Sequence, residues 1–285
     1  MRRIAVISKP QKNELQTLLP ELVTWLRAKG FTPVLDPVSG SYIGTGEVTP
    51  REQMAALTPE LVIVLGGDGT LLAAARAFAK TEVPILSINL GSLGFLTEVR
   101  LSDLFVALDG WHKGTCRYDL RAMLHAELWR GGKLFGEYEA LNDVVVAKGA
   151  IARMGNFVIE LGGQRVASLR ADGIIVATPT GSTGYALAAN GPIVLANVNA
   201  LLVTPICPHL LTIRPIVVPG EAFINLKIEG VPEQMYLTVD GQEAQMIAVG
   251  DEVHCRQSEY QVKLIRLREG GFFDVLRSKL KWGER

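Results

Sequence analysis

Leu61-Val62-Ile63-Val64-Leu65-Gly66-Gly67-Asp68-Gly69-Thr70 is the stretch on which the fold turns. Its first five residues form a continuous apolar run, the pattern of a strand covered on both faces rather than one with a wet side. Three glycines in four positions then let the backbone turn sharply and bring N–H groups close to an anion. From Leu71 to Lys80 the residues are mostly Leu, Ala and other good helix formers. Strand, glycine-rich turn and helix in succession are the start of a β-α-β unit.

The same alternation extends on both sides. Arg3–Ser8 reads as a short strand, and Leu15, Leu18, Leu19, Leu22, Val23 and Leu26 make a helical stripe ending at Gly30, in which Pro20 should kink or restart the helix. Phe31–Leu35 reads as extended, and Asp36–Thr49 as a surface loop rich in Gly, Pro, Ser and Thr. Pro84–Asn89 is another buried strand, leading into Gly91-Ser92-Leu93-Gly94. The succession implies a parallel sheet with helices on both sides. From about Cys116 the texture changes. Met123–Trp129, Phe157–Leu161 and Phe223–Glu229 read as strands, Arg130-Gly131-Gly132-Lys133 as a hairpin turn, and a long helical stripe returns only at Phe273–Trp282. The expected organisation is an α/β domain with a parallel sheet over 1–115, a β-rich, sandwich-like domain over 116–269, and a terminal segment, 270–285, packing back on the first.

Composition limits the partners. Of 285 residues, 29 are Lys or Arg and 29 Asp or Glu, for a formal net charge of +0, so the basic excess of a nucleic-acid binder is missing. Mean hydropathy is +0.23, yet the most apolar stretch, Ala196–Val218, is interrupted by Asn, Pro, His and Arg and cannot span a bilayer. The apolar part of the N-terminus is too short for a signal-peptide core. Cys116, Cys207 and Cys255, without a CxxC spacing, argue against a disulfide framework or a zinc site. A cytoplasmic protein acting on small ligands is expected, with no nucleic acid and no membrane.

Asp68 sets the chemistry. The turn lacks the Lys of a P-loop and the spacing of GxGxxG, and places an acid at the helix start instead. A carboxylate beside phosphate oxygens is repelled unless a cation intervenes or it has a hydroxyl proton to accept. Phosphoryl transfer to an alcohol satisfies that condition, with Gly66, Gly67, Gly69 and Thr70 as phosphate-binding positions; the plainer alternative is a tight βα turn. Asp172–Tyr185 runs from apolar residues into Thr178, Thr180, Ser182 and Thr183 with Gly181 and Gly184, more hydroxyls than one helix cap requires; these suit a neutral anion cradle at a helix N-terminus. Asn142-Asp143 offers the donors and acceptors of a nucleoside site, although such a pair alone is more often a turn or strand start. Asp240-Gly241-Gln242 could be only a hairpin turn. His209 is by default a satisfied, partly buried histidine, and no His-x-x-x-His or Glu-x-x-His spacing supports a metal cage.

Taken in order, these segments resemble the NAD kinase family over nearly the whole chain. The likeness rests on Gly66–Thr70, Asn89 with Gly91–Phe95, Asn142-Asp143, Arg170, Asp172-Gly173, Pro179–Tyr185, Gly191-Pro192, Pro205–His209, Asp240–Gln242 and Phe273–Leu276. It implies transfer of a phosphoryl group from ATP or polyphosphate to the adenosine ribose 2′-hydroxyl of NAD, with Mg²⁺, in a cleft between the two domains of a homodimer or homotetramer. It further implies that Asp68 acts on the hydroxyl and that Gly69 and Phe95 lie near the adenylate half. Asn142 and Asp143 hold the adenosine. Arg170, Asp172, Thr180, Thr183, Gly184, Tyr185 and Gln242 complete the NAD-binding set, with Asp172, Thr183 and Tyr185 on the nicotinamide side or against a neighbouring subunit's ligand. Asp143 replaces the family's usual Glu, shortening the reach by one methylene, and Gly184 stands where Ala is common. The GGDG element is shared with lipid and sugar kinases, so the alternatives are another such kinase or a non-catalytic dinucleotide sensor.

Overall fold

A computed structural model describes residues 2–91, 94–149, 153–230, 234–267 and 272–281. Ser92, Leu93 and Trp282, which belong to the segments singled out above, lie outside them. The chain divides into two compact units, Met1–Leu120 with Val262–Arg285, and Arg121–Gln261.

The first unit is a parallel sheet ordered β2-β1-β3-β4, where β1 is Arg3–Ser8, β2 Thr32–Leu35, β3 Leu61–Gly66 and β4 Ile85–Asn89. Every residue of β3 and β4 is buried, which is why their sequences are unbroken apolar runs. Leu264, near the end of the strand Glu252–Arg266, pairs in parallel with Ile85. The helix Leu15–Ala28 buries Leu15, Leu19, Leu22, Val23 and Leu26 against this sheet's core, and the terminal helix Phe272–Leu280 buries Val275 and Leu276.

Two local expectations fail for identifiable reasons. Pro20 does not break the Leu15–Ala28 helix. Its ring and Gln16, whose carbonyl loses a donor, both lie on the exposed face, where water can supply the missing hydrogen bond. Within the expected loop Asp36–Thr49, residues Pro37–Ile43 form a helix. Asp36 caps it by accepting from the Ser39 N–H at 2.7 Å, Pro37 supplies a first-turn residue with φ already set, and Gly44 ends it at φ +68°. Asp36 is fully buried and pairs with Arg51 at 2.7 Å, so the cap is also a tertiary tie.

The second unit holds two antiparallel sheets. One orders Ile216–Pro219, Ala200–Ile206, Gly173–Ala177, Asp143–Lys148, Met235–Val239 and Glu243–Ile247. The other orders Gln164–Ala171, Gly155–Leu161, Ile224–Ile228 and Glu252–Arg266, the last also pairing with Arg117–Arg130. Val144, Val146, Ile174 and Val176 from the first meet Phe157, Ile159, Leu226 and Val253 from the second in one core. This is sandwich packing with side chains alternating across each strand. Arg130 and Lys133 close the hairpin as expected, with Gly131 and Gly132 at φ +57° and +73° supplying a two-residue turn.

Candidate active site

In an open parallel sheet, ligands gather at the carboxyl ends of the strands. In the first unit, Lys9, Gly66-Gly67-Asp68 and Asn89-Leu90-Gly91, at those ends of three adjacent strands, line a cavity of about 250 Å³. Asp68 is the first residue of the helix Asp68–Ala77, so its charge sits where the helix dipole favours an anion. Both of its oxygens are held by the segment 95–97. Oδ2 accepts from the Phe95 N–H at 3.1 Å. Oδ1 accepts from the N–H groups of Leu96 (3.3 Å) and Thr97 (3.1 Å) and from the Thr97 hydroxyl (2.9 Å). Asn89 in turn donates to Thr97 O and Oγ1 at 3.0 and 3.2 Å. Arg266, bridged to Glu98 and Asp119, buttresses the same segment. Asp68 is thus oriented by one braced segment, with more accepting capacity left on Oδ2 than on Oδ1.

Glycine at 94 is a geometric necessity here. A Cβ on Gly94 would overlap Asp68 Oδ1 and Thr97 Oγ1. A Cβ on Gly66 would likewise run into the Thr70 hydroxyl. Thr70 therefore packs back on the turn, its N–H bonded to Gly67 O at 3.0 Å, and neither it nor Gly69 is among the cavity-lining residues. Of the four positions expected to bind phosphate, Gly66 and Gly67 line the cavity. In exchange the cavity contains three cations that linear reading missed: Lys9, Lys12 and Lys279. Lys12 Nζ donates to Leu90 O at 3.1 Å, and Lys279 Nζ lies 5.4 Å from the centre of the Phe95 ring. Position at the carboxyl end of β1 was the available signal for Lys9 and Lys12; nothing in the local sequence marks Lys279.

The second unit carries a separate polar cluster around Asn142 and Asp143. The turn Asp240-Gly241 is a hairpin turn, as the plainer reading had it, with both residues at positive φ (+49° and +64°). It is also more than that. The buried Asp240 carboxylate accepts the N–H groups of Leu141, Asn142 and Asp143 at 3.1, 2.8 and 3.2 Å. Gly181 approaches from the other side, so closely that a Cβ would overlap the Asn142 backbone. Thr178 donates its hydroxyl to Leu141 O at 2.6 Å and its N–H to Asn142 O at 2.9 Å. Ser182 bonds Pro179 O and both backbone groups of Val194.

The hydroxyls expected to form an anion cradle have partners within the fold. The Thr178 and Ser182 hydroxyls are occupied inside the fold, Thr180 is buried and receives Arg121 at 3.4 Å, Thr183 bonds Thr180 O, and the helix that follows, Tyr185–Ala188, is one turn long. The segment is shaped to pack against Asn142. Arg170 and Asp172 are not part of this cluster. Asp172 stands at the start of the strand Gly173–Ala177 and pairs Lys148 at 3.0 Å, and Arg170 lies near the end of the strand Gln164–Ala171, opposite Asn156, whereas Asn142 and Thr178 stand at the far end of Gly173–Ala177. Five strand residues separate the two ends by roughly 17 Å. His209 is exposed rather than partly buried, its N–H bonded to Arg170 O.

Asp143 is 5% exposed. Burial, reinforced by the charge of Asp240, pushes its pKa up to about 7. The native state therefore keeps a proton that the unfolded chain releases near 4, so stability from this group is complete at acid pH and is lost as pH rises through 7. Asp143→Asn should accordingly raise the melting temperature at pH 8.5, by an amount on the order of 5 °C, and change it much less at pH 5. Calorimetry of both proteins at the two pH values checks this; an equal shift at both would contradict it.

A parallel-sheet unit that aims an acid into a lysine-lined cavity, joined in sequence to a β-sandwich unit, defines a phosphotransferase of the GGDG type. Residues 4–116 match the ATP-NAD kinase N-terminal domain and 141–267 the ATP-NAD kinase C-terminal domain. The NAD kinases of Acidobacterium capsulatum and Koribacter versatilis are 65% and 49% identical to this chain over 285 residues, covering both partners completely. Among solved structures, yeast NADH kinase complexed with NADH superposes with a TM-score of 0.91 at 26% identity, covering 100% of this chain and 89% of that one. An NAD kinase from Archaeoglobus fulgidus in complex with ATP gives 0.75 at 25% identity, covering 98% of each. The chain belongs to the NAD kinase family, and it is a phosphotransferase that phosphorylates NAD.

Proposed function

We propose that Asp68 is the residue that readies the acceptor. In this reading the adenosine ribose 2′-hydroxyl of NAD gives its proton to Asp68 Oδ2, O2′ attacks the γ-phosphorus of ATP, and the bond to the β–γ bridging oxygen breaks to release ADP and NADP. The observation that carries the assignment is the fourfold clamp from Phe95, Leu96 and Thr97, which fixes the carboxylate without neutralising it. The Gly66-Gly67 backbone and Lys9, Lys12 and Lys279 are assigned to the phosphates of ATP or polyphosphate, whose charge would otherwise repel Asp68. Mg²⁺ fits this donor set: Asp68 is the one carboxylate among the described cavity residues, so the ion would draw mainly on phosphate oxygens and water, as Mg²⁺ prefers. Its contribution is to neutralise charge on the transferring group.

Asn142 and Asp143 are assigned to the adenosine, with Gly69, Phe95, Thr180, Thr183, Gly184, Tyr185 and Gln242 as further NAD contacts. Arg170 and Asp172, standing apart from Asn142 within one chain, are assigned to the dinucleotide held by a neighbouring copy in a homodimer or homotetramer. Three cysteines without a disulfide among them suit a cytoplasmic setting, and no helix among the described residues is long and apolar enough to cross a membrane.

The lysine assignment has a direct test. Lys12→Ala should raise KM for ATP about tenfold, the effect of losing roughly one charge-assisted contact, with KM for NAD nearly unchanged. A donor and acceptor matrix, with ATP and polyphosphate against NAD and NADH, measures both at once. An increase confined to KM for NAD would overturn the placement of the lysines on the donor.

A further inference from the structure

Residues 123–140 form a hairpin whose chemistry the phosphoryl transfer does not use. Its register sets His125 opposite Glu139 and Glu127 opposite Glu137. Residues two apart on a strand share a face, so one imidazole and three carboxylates occupy a single patch of one sheet face. Glu127 and Glu137 are like charges directly across the ladder, a pairing that destabilises a sheet unless a cation lies between them. The nearby positive side chain, Arg256, is half-exposed and reaches Glu127 Oε1 only at 3.8 Å.

The details fit a metal more closely than an ordinary polar cluster. One ligand atom each from His125, Glu127 and Glu137 can be chosen so that all lie within 4.8 Å of one another. His125 Nε2 and Glu127 Oε1 are 3.3 Å apart. Two ligands bound at about 2.0–2.1 Å in tetrahedral geometry stand about 3.3 Å apart. Glu127 Oε2 is held by the Trp129 indole N–H at 2.7 Å, which turns Oε1 toward the imidazole. On the far side of the ring, Nδ1 lies 2.8 Å from Glu139 Oε1, the carboxylate–histidine contact that fixes the tautomer and presents Nε2 as a ligand. The Glu139 side chain is about nine-tenths buried, and its remaining oxygen, Oε2, has no hydrogen-bond partner among the described residues. A buried, unpaired carboxylate oxygen behind the imidazole is costly as it stands and is compensated by a cation bound at Nε2 of the neutral ring.

We propose that His125 Nε2, Glu127 Oε1 and the Glu137 carboxylate bind a divalent transition-metal ion of the zinc class, with water in the fourth position and Glu139 as the positioning residue. One imidazole with carboxylates favours zinc over magnesium or calcium, which prefer all-oxygen shells. The ion would clamp the two strands of the hairpin. Linear motif searching misses such a site because the ligands become neighbours only through strand pairing.

The test uses the full chain, stripped with a chelator, dialysed, and titrated with zinc chloride by calorimetry, with cobalt absorption reporting geometry. One zinc per chain is expected, with Kd at or below about 10 μM and a tetrahedral cobalt spectrum. His125→Gln should abolish saturable binding. Glu137→Gln, at an exposed position where folding is not at stake, should weaken it at least about tenfold, and Glu139→Gln by about 10–100-fold without changing the stoichiometry. Cys207→Ser should leave binding intact, since the exposed thiol at 207 is the competing soft ligand. No saturable binding up to about 100 μM zinc, equal affinity in the wild type and Glu137→Gln, or loss of binding in Cys207→Ser would each overturn the proposal.

Discussion

Asp68→Asn is expected to lower kcat by about 10²–10⁴-fold while KM for NAD changes little, because proton acceptance matters most in the transition state. The local structure sharpens this expectation. An amide at position 68 can keep accepting from Leu96, Thr97 and the Thr97 hydroxyl through its oxygen, but its NH₂ group then faces the Phe95 N–H, a donor against a donor. Part of the loss would therefore come from the 95–97 segment shifting. Thr97→Val separates the two effects. It removes one hydrogen bond to Oδ1 and leaves the acid in place, so kcat should fall by no more than about tenfold, the worth of one such contact. Steady-state kinetics on both variants, with ATP saturating, measures the difference. A loss of NAD affinity without a loss of kcat in Asp68→Asn would remove the residue from the chemical step.

Gly181→Ala should be the most damaging substitution away from Asp68. The added methyl would overlap the carbonyl, carbon and Cα of Asn142, which are main-chain atoms fixed by the strand Asp143–Lys148 and by Asp240. A flexible side chain could step aside, whereas this backbone cannot move without breaking the Thr178 and Asp240 bonds. Overpacking of this kind costs about 1–3 kcal/mol, enough to lower the melting temperature by several degrees. Because Asn142 is displaced, KM for NAD should rise together with the loss of stability, while KM for ATP stays near its wild-type value. Gly46→Ala is the control, since a Cβ there meets nothing within 4 Å and the residue belongs to neither polar cluster. Equal melting temperatures for the wild type and Gly181→Ala would refute the tight approach.

The part of the site that is contiguous in sequence was legible in sequence. Leu61–Thr70 reads as strand, turn and helix because buried strands, phosphate-approach glycines and helix formers each leave a local signature. The Pro37–Ile43 helix was hidden because Pro, Ser and Gly are loop-formers by composition, and only the Asp36 cap with its buried Arg51 partner tips the balance. Thr178 and Ser182 suggested a ligand because hydroxyls that serve the fold and hydroxyls that serve a substrate look alike in a string. Lys9, Lys12 and Lys279 went unnoticed for the opposite reason: isolated lysines carry no pattern until β1 and the terminal helix bring them to one cavity. The resemblance groups Arg170 and Asp172 with Thr180, whereas the extended strand Gly173–Ala177 sets Asp172 and Thr178 at its opposite ends.

The first unit is assembled from both ends of the chain, Met1–Leu120 and Val262–Arg285, and the second is a single uninterrupted stretch. On the ribosome, the strand residue that pairs with Ile85 and the helix that carries Lys279 emerge only after residues 121–261, a wait of roughly 7–30 s at ordinary translation rates. The second unit can thus reach its native form while the first is still missing its last strand. Arg266, which steadies the loop holding Asp68, comes off in that final stretch. Catalytic competence is then the last property the nascent protein acquires, and a chain released early would leave an acid and two lysines without the brace that gives them a task.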